Sequence, residues 1–565
     1  MLRTTLFAFV LILITALCAQ AAAPEKSSPK KDSITTVLNF ELDSLNPVVA
    51  VSVSSIFILD ATVRYPMALD ISGKPMAFLV KEVPTVENHK VSFFPTKEGR
   101  GMKIDLEFLP KAAWGDGEPV TCDDLKLTWE IGSNMNVSVP SRDIFTDITD
   151  VKIDPTNPKK CSVFVKKAQW SYYLNFPRML SAHIERPIFE KYKNQPQAYE
   201  RNSAYVRDPK QPGLYNGAYR IIEYKMGEYV RMVPNEHFYG PTPYFKTVTV
   251  KFILNTATIE ANLLSGSVDM VSSSGFTLDQ ALIFEKRIEK EHLPYKMNMK
   301  PSMLFSFLDC NLDNPILSDV RVRKALSYMI NREELINSFY GGRLTAAYTF
   351  ANPIDSYYTL NPKQIQLYRY NKTKANQLLD EAGWVLNKED GIRYKDGKPL
   401  RLTMSAGADI KIVETIEVFI KNSWKSVGVD MQIKNYPGRV LFSQIIPHRN
   451  FDLAFYSMSG SPDDDHRTLY HSSFIPSEKN SFSGQNSAGW KNPDVDKWLD
   501  QEQLEFDPKK RKPLMLKIMK AYNAELPTIP LYFRSMNSVT PIDLKGYDMA
   551  PHQFSEFSHI EDWKY

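Results

Sequence analysis

Cysteine is scarce, with 4 in 565 residues, and Cys18 falls in the apolar start of the chain. That excludes a disulfide-stapled small domain and a cysteine-rich metal cluster. The other three, Cys122, Cys161 and Cys310, permit one bridge in an oxidising compartment. Cys122–Cys161 is the first choice because the two are closest in sequence, and three separate buried thiols are the other reading. Charge of one sign is also missing. Lys and Arg number 69 against 65 Asp and Glu, so nothing calls for nucleic acid or an anionic membrane as partner. Even Lys509-Lys510-Arg511-Lys512 reads as a solvated helix face. After the first residues no apolar run is long enough to span a bilayer. There is no internal repeat and no low-complexity linker.

Catalytic frames are absent too. No His-Glu-x-x-His occurs, and Ser459 lacks the Gly-x-Ser-x-Gly frame of a nucleophile elbow. Gly391…Gly397-Lys398 has one residue too many for a phosphate loop, and Pro399 stands where Ser or Thr must hold the metal, so it reads as a hairpin turn. His466 and His471 have no clear third metal ligand nearby. No metal and no cofactor are expected, and the chain does not read as an enzyme.

What is present begins with an address. Met1-Leu2-Arg3, an apolar run from Leu6 to Ala16 and small residues up to Ala23 make a secretory signal peptide. Ala19 and Ala21 have the spacing of a leader-peptidase site, which places cleavage after Ala21. Leu17 before Cys18 is not the small residue a lipoprotein signal wants. The mature chain is therefore expected in the periplasm. It is roughly 540 residues long, enough for more than one core.

Residues 22–33 are rich in Lys, Ser and Pro and read as a flexible start. Alternation from Ile34 to Phe40 predicts a strand, and strand signals recur at Lys90–Pro95, Met102–Leu109 and Cys161–Lys166. Thr121-Cys122-Asp123-Asp124 caps and charges the start of a helix. Further apolar periodicities predict helices near Thr258–Leu264, Val320–Ile330, Lys372–Ala382, Ile410–Val427, Asp494–Gln503 and Lys509–Ala524, with strands at Gly428–Ile433 and Ile529–Arg534. Alternating helices and strands predict α/β layers.

Several segments, taken in order, resemble one family. They are Trp114-Gly115-Asp116-Gly117-Glu118-Pro119-Val120-Thr121; Gly217-Ala218-Tyr219 with Asn235-Glu236-His237-Phe238-Tyr239-Gly240; Leu263-Leu264-Ser265-Gly266-Ser267-Val268-Asp269; Asp319-Val320-Arg321-Val322-Arg323-Lys324-Ala325-Leu326 through Glu333; and Ala375 to Trp384 with Asp396-Gly397-Lys398-Pro399-Leu400. Together they resemble the family-five extracellular solute-binding proteins of ABC importers, the dipeptide-, oligopeptide- and nickel-binding group. The resemblance spans nearly the whole mature chain. It implies an α/β, two-lobe periplasmic binding protein of class C (type II), with an extra subdomain on lobe one and a two-crossing hinge. Lobe I would take 34–60, 205–290 and 535–565, the extra subdomain 61–204, and lobe II 291–534. It also implies capture of peptide, or alternatively a metal chelate, opine, sugar or haem-like molecule, by a monomer that delivers to a membrane permease with cytoplasmic ATPases.

In peptide-binding members a carboxylate placed shortly after a Phe-Asp-hydrophobic strand pairs with the N-terminal ammonium. Here that strand is Phe451-Asp452-Leu453-Ala454-Phe455-Tyr456, and the ungapped match puts Ser461 at the carboxylate position. Serine can accept a hydrogen bond from an ammonium but cannot neutralise it. Either Asp463 or Asp464 takes over, or the ligand presents no amine there. The candidate ligand contacts are Tyr456, Ser459, Gly460, Ser461, Asp463, Asp464 and Trp490.

Overall fold

The computed structural model describes residues 31–565 apart from 409, 481 and 552–554. The leader, 1–21, and most of the segment 22–33 lie outside the described residues. Ser33, at the end of that segment, already belongs to a strand: Ser33–Leu38 pairs in parallel with Thr247–Phe252, Ile34 opposite Val248. Strands Tyr229–Pro234 and Tyr219–Lys225 complete this four-stranded sheet. Its apolar face packs with helix Val53–Thr62 and with Phe557, Ile560 and Trp563 near the C-terminus. Leu127, Phe189 and Tyr205 join the same core, so the helices between 121 and 207 rest directly on this sheet.

A second antiparallel sheet has the order Val91–Thr96, Gly99–Glu107, Asn157–Val165, Ile148–Asp154 and a core of its own around Ile104, Trp114, Leu125 and Val163. Helix Cys122–Ser133 seals it. The Thr121 N–H donates to Asp124 Oδ2 (2.7 Å) and Thr121 Oγ1 accepts from the Asp123 N–H (3.3 Å), so the capping residues read from the sequence do cap. The Cys122–Cys161 disulfide ties the helix start to the sheet across 39 residues, and Cys310 is a free, buried thiol.

The third sheet has six strands in the order Thr345–Ala346, Thr528–Pro541, Tyr295–Cys310, Leu453–Met458, Arg401–Ala406, Asp430–Ile433. Helices Val320–Tyr328, Lys411–Lys425, Pro493–Gln503 and Pro508–Glu525 cover it. The sequence periodicities place these helices to within one or two residues. The family-like stretch from Asp319 to Glu333 is structural. Buried Arg323 donates to the carbonyls of Leu317, Ser318, Glu525 and Leu526, and buried Arg332 to those of Pro530 and Tyr368. Glu525 and Leu526 end helix Pro508–Glu525, where carbonyls have no partner within the helix, and the Arg323 fork satisfies them.

Strands Tyr295–Cys310 and Thr528–Pro541 pair antiparallel along their whole length, with a break in register between Pro301 and Phe305. On one side of the break, Val539 bridges to Val271 and packs with Val37 and Phe284. On the other, Phe307 and Phe533 pack in the core beside the six-stranded sheet. The chain thus passes between the two α/β bodies on a two-stranded ribbon. The Gly391–Gly397 region is a hairpin, Lys395 opposite Lys398, with Asp396 and Gly397 in the left-handed region.

The closed loop of 39 residues sets the expected cost of losing the bridge. The double substitution Cys122→Ala/Cys161→Ala should lower stability by about 4 kcal/mol by the loop-entropy relation. Chemical denaturation checks this: reductant should lower the midpoint of the native protein and leave the double variant unmoved.

Candidate functional site

Strand Leu453–Met458 lies between Tyr295–Cys310 and Arg401–Ala406, parallel to the latter. Its carboxyl end delivers the segment 459–466, at the strand ends where α/β proteins bind ligands. Ser459 is exposed, Gly460 half-buried and Ser461 only 3% exposed. The Ser461 N–H donates to Asp464 Oδ2 (3.1 Å), and Asp464 Oδ1 accepts from the Asp465 N–H (2.9 Å). Asp463 stands in the left-handed region, φ 53°. Its N–H donates to Asp355 Oδ1 (2.9 Å), and its own Oδ1 accepts from the Ser356 N–H (2.7 Å). Burial pushes Asp464 up to about 6 and Asp355 up to about 7, against the pull of those amides. The two carboxylates that could stand in for the missing aspartate at 461 therefore already hold backbone amides of their own loop and of residue 356.

Tyr456 donates its hydroxyl to the buried Asp309 carboxylate (2.9 Å) and packs edge-on against Phe307, 4.8 Å between centroids. With Met458 and Tyr470 it borders a cavity of about 30 Å³, room for one or two waters. Trp490 requires a correction. It is 2% exposed, its indole N–H donates to Glu525 Oε2 (2.6 Å), and its ring lies against Tyr470 and Tyr522. A buried indole needs an acceptor, and Glu525 supplies it inside the core. His466 is likewise internal, beside the Tyr357 hydroxyl at 2.7 Å and lowered to about 4 by burial. Among the described residues no group of three or more His, Cys, Asp or Glu is placed to hold a metal ion.

A site that sequence reading missed lies on the other body. A cavity of about 280 Å³ is walled by Tyr65, Met67, Tyr173, Leu174, Phe176 and Arg178, among others. Arg178 is 6% exposed, ion-pairs through one terminal nitrogen with Asp60 Oδ1 and lies over the Tyr65 ring at 4.3 Å. Its Nε is buried without a partner. Asp60 Oδ2 is held by the backbone N–H and the hydroxyl of Ser555, each at 2.7 Å. One signal was legible: Arg178 is the single charge in the run from Leu174 to Leu180, and a cation in apolar surroundings needs partners.

The cavity wall and the candidate loop meet. Tyr173, on the wall, feels the charges of Arg511, Asp463, Asp464 and Glu502, and its phenol is raised chiefly by burial. Pro462 packs on the hairpin turn at Gly73, where an added Cβ would come within 2.5 Å of the proline ring. Arg511 is a second correction: within a lysine-rich stretch read as a solvated face it is 9% exposed, 3.8 Å over the Trp170 ring and 3.8 Å from Glu502. Its neighbours Lys509, Lys510 and Lys512 are exposed.

Two α/β bodies on a two-stranded ribbon, with an extra antiparallel sheet on the first body and the loop of the second reaching towards it, define a two-lobe periplasmic binding protein. The chain belongs to the bacterial extracellular solute-binding proteins, family 5, whose middle region matches residues 109–481. It is 24% identical over 471 residues to the oligopeptide-binding protein AppA of Bacillus subtilis, covering 82% of this chain and 81% of that protein. It is 24% identical over 553 residues to the nickel-binding periplasmic protein of Escherichia coli, covering 97% and 96%. The fold is similar to an oligopeptide-binding protein from Thermus thermophilus complexed with a pentapeptide (TM-score 0.71, 22% identity, covering 95% of this chain and 96% of that one). It is also similar to NikA from Brucella suis in complex with Fe(III)-EDTA (TM-score 0.75, 18% identity, covering 95% and 100%).

Glu502 makes this junction sensitive to pH. It is 1% exposed and pushed up to about 8, mainly by burial and next by the charge of Asp465, while Arg511 pulls it down. An acid whose folded pKa exceeds its free value of 4.5 contributes fully to stability below that value, and the contribution is lost as pH rises from 4.5 to about 8. Glu502→Gln should flatten the fall of the melting temperature across that window; an unchanged slope would show that Glu502 does not cause it.

Proposed function

We infer that this protein is the exported, periplasmic capture component of an ABC importer, and that it takes a small carboxylate-bearing solute, foremost a short peptide. In this reading residues 34–60, 205–290 and 535–565 form lobe I, residues 61–204 its extra subdomain and residues 291–534 lobe II. The solute is held in the cavity bordered by Tyr173 and Arg178, between lobe I and its subdomain, on the side that the 459–466 loop of lobe II approaches. The protein then presents it, as a monomer, to a membrane permease whose cytoplasmic ATPases supply the energy. The role is capture rather than catalysis. Solute in contact with both lobes favours the closed form only by its differential affinity for closed over open.

The observation that carries the ligand class is Arg178. It is buried on the cavity wall, with a donor on Nε left over after its pairing with Asp60. A carboxylate can accept from an arginine in a fixed geometry. In the 459–466 loop Asp463 and Asp464 already hold backbone amides and Ser461 carries no charge, so the carboxylate of the solute has the better-defined partner. A cavity of about 280 Å³ sits at the lower edge of the roughly 300–1,000 Å³ typical of small-molecule sites. That suits two or three residues rather than a long peptide. A polycarboxylate chelate is the second reading. It satisfies Arg178 equally, and relatives of this chain are named for nickel and for Fe(III)-EDTA.

Native mass spectrometry of protein expressed to its own compartment, followed by denaturing release, distinguishes them. Peptide masses of two to three residues are expected, whereas a single non-peptide mass would establish the chelate reading. Arg178→Gln should weaken retention of the released compound by about 1.5–3 kcal/mol, the worth of a hydrogen bond to a charged group. The paired change Asp60→Asn/Arg178→Gln controls for the stranded carboxylate. Full retention in both folded variants would exclude Arg178 as the anchor.

A further inference from the structure

Away from the ribbon, the two bodies touch through a set of side chains that the capture reading does not use. The turn between helices Pro493–Gln503 and Pro508–Glu525 projects Phe506 into the subdomain core. There its ring meets Phe93 edge-on at 5.0 Å and Tyr172 at 6.2 Å. Arg511, at the start of the second helix, donates to the carbonyls of Glu505 (3.0 Å) and Phe506 (3.3 Å), fixing the turn that carries Phe506. The same guanidinium lies over the Trp170 ring at 3.8 Å. The Trp170 N–H donates to the Gln503 carbonyl at 3.1 Å. Pro462 against Gly73 extends the contact towards the candidate loop. Trp170, Glu502 and Arg511 are all buried here.

Apart from the Arg511 bonds that fix the turn, each of these contacts joins a residue of 73–172 to a residue of 462–511, and all are made by protein groups alone. Opening the lobes would expose Phe506 and Trp170 and would separate a guanidinium from an aromatic face. Both changes are unfavourable in water. The segment that carries the subdomain's half of the contact, Trp170 to Tyr173, continues directly into the cavity wall: Tyr173 borders the cavity, and its ring lies 6.1 Å from that of Trp170.

We propose that Phe506 and Arg511 form an inter-lobe latch, gripping Phe93, Trp170 and Tyr172, which holds the lobes closed independently of solute and couples to the solute cavity through Tyr173. Only that last coupling rests on the capture reading above. The latch sets how far the free protein is biased towards its closed form, and therefore how much of the closing free energy a solute has to provide. It is a side-chain device, since the hinge itself lies in the ribbon, where a few residues absorb the closing motion.

The test uses the full mature chain with its disulfide intact, stripped of small molecules by unfolding in guanidinium and refolding. Small-angle X-ray scattering of wild type, Phe506→Ala, Arg511→Lys and the exposed neighbour Lys512→Ala reads the lobe arrangement directly. Wild type and Lys512→Ala should match the scattering calculated for the closed arrangement. Phe506→Ala and Arg511→Lys should show a larger radius of gyration and a longer maximum dimension. Arg511→Lys keeps the charge and loses the planar stack, so it decides the question if Phe506→Ala fails to melt cooperatively. Identical curves for the folded proteins would overturn the latch. Because no solute enters the experiment, such a result would leave the Arg178 reading standing. Equally, a failure of Arg178→Gln to change retention would leave the latch standing.

Discussion

The structure depends first on the antiparallel pairing of Tyr295–Cys310 with Thr528–Pro541. This is the longest strand pair in the fold. Its two halves belong to different cores, one with Val37, Val271 and Phe284 and the other with Phe307 and Tyr522. Backbone hydrogen bonds run along both halves and leave a register break at Pro301–Phe305. Proline lacks the donor a ladder needs, and Pro301 stands at the break where the chain passes from one body to the other. A ribbon stiff at both ends and interrupted in the middle lets two packed bodies move as units.

The loop 459–466 leaves the carboxyl end of the strand next to the ribbon, and Arg178 reaches the cavity from the first body. The electrostatics follow from the burial this arrangement imposes. Asp464, Asp355 and Glu502 all lie above their usual carboxylate range because the junction removes water from them. Arg178 and Arg511 are the cations placed among these acids and aromatics. Each stacks on a ring of the first body, Tyr65 in one case and Trp170 in the other. Planar guanidinium is well suited to that position, because its faces are weakly hydrated and its edge still donates.

Family-level similarity and local chemistry carry different information here. The stretch from Asp319 to Glu333 carries the family resemblance read from the sequence, and its arginines satisfy carbonyls in the interior. Such residues report the fold. The loop at 461 departs from the peptide-binding pattern, and the structure shows the neighbouring aspartates spent on amides.

Much of the architecture was legible in the sequence. Helix spans came from apolar periodicity, the Thr121 cap from its side chain, and the hairpin at Asp396-Gly397 from turn chemistry. The closest cysteines in sequence did pair. These are local or near-local properties, set by backbone preference and by which face of an element is apolar. The tertiary structure alone decided which polar groups were already occupied and which were not. Asp463 and Asp464 looked free and are engaged. Trp490 looked like a ligand wall and is core. Arg511 looked solvated and is stacked on a residue 341 positions away. Arg178 drew no attention and stands on the cavity. Each of these depends on partners distant in the chain, and a side chain's partners are fixed only when packing brings the two bodies together.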